Sequence, residues 1–94
     1  DVGVEHAMEM YLEGYFSHLS PFTGSIGDRL GDAGITYRFA GENLALAASA
    51  DEVHVGLMGS PGHRANIESP DYNRVGIGVV SGPLGLMTVQ VFTG

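Results

Sequence analysis

The chain has 94 residues, a formal net charge of −7, no cysteine and no lysine; Arg29, Arg38, Arg64 and Arg74 are its only strong cations. This balance opposes nucleic-acid or anionic-membrane binding, because neither phosphate neutralisation nor a polybasic patch is available. Disulfides and thiolate metal ligands are excluded outright. With 44% hydrophobic residues and 15 glycines the sequence reads as a packed globular domain rich in tight turns, and no apolar run nears the length of a membrane span.

From the start, Val4, Met8, Tyr11, Leu12 and Tyr15 recur at helical spacing, with Glu5, Glu9 and Glu13 on the other side, predicting an amphipathic helix over residues 2–13. The chain begins at Asp1 already in this pattern, so it is expected to begin inside a longer protein. Tyr15 to Gly24 has no clear period and places His18 on a loop. A short helix from Ser25 to Ala33 follows, with Ser25 as N-cap and Gly34 suited to a left-handed C-terminal cap. Gly41 to Ala48 is small and apolar except for Glu42 and Asn43, and its local structure is ambiguous. Ser49 and Glu52 have capping-box spacing and open a helix ending near Gly59, with Val53, Leu57 and Val55 on its buried side. Ser60 and Pro61 start another, to about Ile67, with His63 in its first turn and Pro70 beyond its end. Arg74–Val80 and Leu86–Phe92 are β-rich and predict a hairpin with a longer loop over Ser81–Gly85. There is no internal repeat.

Several segments in this order resemble one family. They are Phe16-Ser17-His18-Leu19-Ser20-Pro21 followed by the Arg29 helix, Ala33-Gly34-Ile35 with Tyr37, and Gly41-Glu42-Asn43-Leu44-Ala45. Ser60-Pro61-Gly62-His63-Arg64-Ala65-Asn66-Ile67, Val75-Gly76-Ile77-Gly78-Val79 and Val89-Gln90-Val91-Phe92 complete the set. Together they resemble the CAP superfamily of cysteine-rich secretory proteins, antigen 5 and pathogenesis-related proteins, in its cysteine-free bacterial branch. The resemblance implies an α+β fold, an α-β-α sandwich with a mainly antiparallel twisted sheet and helices on both faces. It implies one domain over residues 1–94 that lacks the family's first helix and strand, leaving a sheet edge exposed.

The resemblance also implies a cleft at His18, Glu42 and His63. The family's fourth position has no counterpart, since Leu57 to Gly62 contains no carboxylate. Two imidazoles and one carboxylate make a donor set for a divalent metal, Zn²⁺ before others. The alternative is a hydrogen-bonded polar pocket in which Glu42 accepts from one histidine. His6 is expected on the helix surface or half-buried, His54 in solvent, Arg64 paired with a surface acid, and Asn43 and Asn66 on buried backbone groups. Tyr72, Gln90 and Phe92 match structural positions of the family as core or cleft wall. The expected function is a secreted or cell-surface binding module, without catalysis, taking a small molecule, lipid or peptide. A metal-assisted, peptidase-like hydrolase using Glu42 and His63 is the second reading, although no His-Glu-x-x-His motif or complete triad supports it. A structural interaction module is the third. Oligomeric state is not legible.

Overall fold

The computed structural model describes residues 1–94. Helix α1 (Val2–Glu13) is capped by the Asp1 side chain accepting from the Val4 amide and ends at Gly14 in the left-handed region. Its buried stripe is Gly3, His6, Ala7 and Met10. Met8 and Leu12 are exposed, so the inward face is not the one the larger apolar residues predict. The reason is close approach: Gly3 and Val4 cross the backbone of Gly78 so tightly that no side chain fits between them. A residue without a side chain must therefore face the sheet at this end of α1, and His6 goes inward on the same face.

Helix α2 (Ile26–Asp32) opens with a complete capping box in which Ser25 and Asp28 satisfy each other's backbone amides. The ambiguous segment is strand β1 (Ala40–Ala47). Helix α3 (Ala50–Met58) is capped by Ser49 accepting from the Glu52 amide. The Glu52 carboxylate accepts from the Ala48 amide, one residue before the expected partner. Val53 and Leu57 are buried as expected, but Val55 is exposed. Helix α4 (Pro61–Glu68) has proline in its first turn and no side-chain cap from Ser60. Strands β2 (Arg74–Gly82) and β3 (Gly85–Thr93) form a hairpin tighter than predicted. Gly82 pairs with Gly85, so only Pro83 and Leu84 form the loop. Gly85, at φ 118°, supplies the backbone conformation that a side chain would resist.

The sheet is antiparallel with order β1-β3-β2. One face packs against α1 and α2 through Ala7, Met10, Leu30, Leu44, Met87, Val89 and Val91. The other carries α3 and α4, which contact β1. This is the α-β-α arrangement expected. Alternation along a strand then separates neighbours. Glu42 pairs across from Val91 and shares the α1/α2 face, whereas Asn43 pairs across from Gln90 and faces α4. The outer edge of β2 has no paired strand, and Val75, Ile77 and Val79 are half-exposed along it.

Candidate functional site

Glu42 is the centre of the site. Its side chain is 1% exposed, and burying a carboxylate is tolerated only when it is paired and hydrogen-bonded. Both oxygens are engaged. Oε2 accepts from Arg29 Nη1 at 2.6 Å, and Oε1 accepts from Arg29 Nη2 at 3.3 Å. Oε1 also lies 2.9 Å from His18 Nδ1. Arg29 is itself only 6% exposed and also donates from Nη2 to the His18 carbonyl at 2.6 Å. One guanidinium thus joins α2, β1 and the loop carrying His18. Its Nε has no partner and is buried, and the residue also lines a polar cavity of about 250 Å³ with His6, Glu9 and Thr23.

An ionised carboxylate only accepts hydrogen bonds, so the contact with Glu42 requires the proton of a neutral His18 to be on Nδ1. Nε2 is then a free acceptor. The His18 side chain is 60% exposed. The same loop exposes Phe16, Leu19 and Phe22, so it presents the tethered imidazole and three large apolar side chains to solvent.

His63 is arranged differently. Its ring is half-buried, with Nδ1 2.9 Å from Ser60 Oγ, which explains why Ser60 does not cap α4. Its carbonyl accepts from Asn43 Nδ2 at 3.0 Å. Asn43 also donates to Gln90 and accepts from Asn66 at 2.9 Å. The structure therefore joins His18 to Glu42 directly and ties His63 to the neighbouring strand residue through its backbone. No three histidine or acidic side chains converge into a group that could hold a metal. A resident divalent cation does not fit this donor set: both carboxylate oxygens already accept from Arg29, the counter-charge is thus a guanidinium, and the imidazole nitrogen facing Glu42, His18 Nδ1, is used as a donor.

A second polar cluster, not anticipated from the sequence, fastens the His18 loop to α1. Glu9 Oε1 accepts from the Tyr15 hydroxyl at 2.6 Å and from the Ser20 hydroxyl. Ser20 also accepts from the amides of Phe22 and Thr23. This occupies the serine that a nucleophile beside His18 would require. His6 is buried, contrary to expectation, and its Nε2 donates to the Ser17 carbonyl at 2.9 Å. Burial, and next the positive charge of Arg29, hold its pKa below the ordinary imidazole value. For Glu9 burial acts upward, but the hydrogen bonds from Ser20 and Tyr15 outweigh it and hold the carboxyl below its usual range. Three further side chains lie where expected: His54 is exposed, Arg64 pairs with Glu68 at 3.1 Å on the surface, and Tyr72 stacks on buried Phe92.

The order of the elements and the antiparallel sheet between two pairs of helices make an α-β-α sandwich, with Arg29 and Glu42 paired and buried where α2 meets β1 and His18 tethered to them from its loop. Residues 4–92 match the model of the CAP family, the cysteine-rich secretory protein family, and the chain belongs to it. It is 38% identical over 89 residues to the uncharacterized protein YkwD of Bacillus subtilis, covering 94% of this chain and 34% of that protein. To the uncharacterized membrane protein YlbC of the same organism it is 36% identical over 80 residues, covering 84% of this chain and 23% of YlbC. The chain thus spans about a third or less of these relatives. An extracellular protein containing a SCP domain from Bacillus anthracis superposes with a TM-score of 0.89 at 34% identity, over 99% of this chain and 30% of that one. An outer surface protein from Borrelia burgdorferi superposes at 0.86 with 18% identity, over 98% of this chain and 69% of that one, and shares the fold. No helix is long and apolar enough to cross a membrane.

Proposed function

We propose that this chain is a non-catalytic binding module of a secreted or cell-surface protein, and that its ligand is a small amphipathic molecule or peptide taken at the His18 loop. One observation carries this reading. An exposed imidazole is fixed through Nδ1 by a buried carboxylate, leaving Nε2 as a free acceptor on a loop that also exposes Phe16, Leu19 and Phe22. Such a surface suits a ligand that offers an N–H or O–H to His18 and an apolar group to the aromatic residues beside it. The extracellular description of the Bacillus anthracis protein supports the location proposed.

The hydrolase reading gains less. A Glu42–His18 pair has the form of an oriented base, but Ser20 is held by Glu9 and His63 hydrogen-bonds within its own helix start. The test is an NMR titration of the labelled chain with short peptides, lipid micelles and cell-wall fragments. Shifts confined to residues 16–22 and 42, lost in His18→Ala, are expected with at least one ligand class. No shifts with any class, or turnover abolished by Glu42→Gln, would end the binding-module reading.

A further inference from the structure

We infer that Arg29 is the resident cation of this site: its guanidinium neutralises Glu42 from within, takes the part a divalent metal would play, and thereby positions His18 for recognition. The inference holds whichever ligand the site accepts.

Three features carry it. First, Arg29 and Glu42 are 6% and 1% exposed, and the fork donates to both carboxylate oxygens. Planar, permanently charged guanidinium suits this buried, two-oxygen geometry as a compact ammonium does not. Second, the same Nη2 donates to the His18 carbonyl, so one group fixes the loop backbone while its partner fixes the ring through Nδ1. A metal held between His18 Nδ1 and Glu42 would need a lone pair on that nitrogen, yet Nδ1 must carry the proton, and the lone pair left on Nε2 is a single donor without Glu42 beside it. Third, His63 does not join the pair, and no three-donor group forms. A cation entering beside Glu42 would face a fixed positive charge with too few free donors to offset it.

Arg29 is therefore a positioning residue, acting through Glu42 and the loop. The site should work without metal and tolerate chelation. Lone histidines on the surface, such as His54, retain ordinary weak metal affinity that does not depend on Glu42.

Two measurements on the full chain test this. In the first, Zn²⁺ is titrated calorimetrically at neutral pH into the wild type, Glu42→Gln and His18→Ala. Isotherms for wild type and Glu42→Gln that agree within error, with or without a weak shared background, are the expected result. Uptake of one equivalent that weakens at least tenfold in both variants would overturn the inference. In the second, long-range ¹H–¹⁵N spectra assign the His18 tautomer. The wild type should show the neutral ring protonated on Nδ1, unchanged by EDTA; a ring protonated mainly on Nε2 would overturn the inference even if no metal binds. In Arg29→Met the Nδ1-protonated fraction should fall by at least half; an unchanged fraction in a folded variant would remove Arg29 from the positioning role. Should Arg29→Met fail to fold, the wild-type metal and tautomer measurements still decide.

Discussion

Replacing Arg29 with methionine keeps most of the side-chain volume while removing the charge and all three hydrogen bonds it makes to Glu42 and to the His18 carbonyl. Glu42, 1% exposed, would retain only the His18 contact. Breaking a buried pair by deleting one partner costs about 3–5 kcal/mol, because the survivor is an uncompensated buried charge. A domain of this size has roughly 5–15 kcal/mol in total, and each kcal/mol moves its melting temperature by about 4–8 °C. The variant should therefore melt at least roughly 12 °C lower by circular dichroism. Adding Glu42→Met should restore part of that loss, since removing both charges leaves no unpaired ion and apolar replacements of buried pairs are often neutral. A single variant that loses less than about 1 kcal/mol, or a double variant less stable than the sum of the two singles, would refute the view that these charges compensate each other.

Stability should fall with acid in two stages. The native state holds the His6 pKa below the ordinary 6.5, so below pH 6.5 the unfolded chain takes up a proton that the native one refuses, and stability declines. Glu9 is held below its ordinary 4.5, so a further loss begins near that pH and runs down through its native value; urea midpoints for His6→Gln and Glu9→Gln should each flatten their own stage. An unaltered pH profile in both would sink this assignment. Gly78→Ala should destabilise by about 1–3 kcal/mol or more, because the new methyl would meet the backbone of Gly3 and Val4 rather than a movable side chain; a melting temperature within about 2 °C of wild type would show that α1 can shift away. Ser60→Ala should change stability by less than about 1 kcal/mol, since Ser60 makes no cap bond, but it should alter the His63 ring-nitrogen shifts; a large stability loss with unchanged shifts would contradict the Ser60–His63 contact.

Much of the architecture was legible along the chain because its signals are local. Ser25 with Asp28, Ser49 with Glu52, and Pro61 each act within one helical turn, and those helices begin where the residues indicate. The β-rich runs before and after Pro83 and Leu84 likewise became strands, although the number of residues in the turn depended on Gly82 and Gly85 pairing. The inward face of α1 was read only in part: Tyr11 and Tyr15 pack against the core, but Met8 and Leu12 are exposed, because apolar size was the only guide. Its packing is governed instead by how closely Gly3 can approach Gly78, two residues whose contact exists only in the folded sheet.

For the site, residue order alone established that His18, Glu42 and His63 belong to recognisable segments, and that any site must be built without thiols. How those side chains meet was beyond its reach. Glu42 and Asn43 are adjacent, and strand alternation sends them to opposite faces: one to Arg29 and His18, the other to His63 and Asn66. Arg29 carried one available signal, as the only strong cation side chain between Asp1 and Tyr37. Its partner lies 13 residues away on another element, so only the docking of α2 on β1 brings the charges together. That docking selects which cation neutralises the buried carboxylate, and with it which nitrogen of His18 the carboxylate holds.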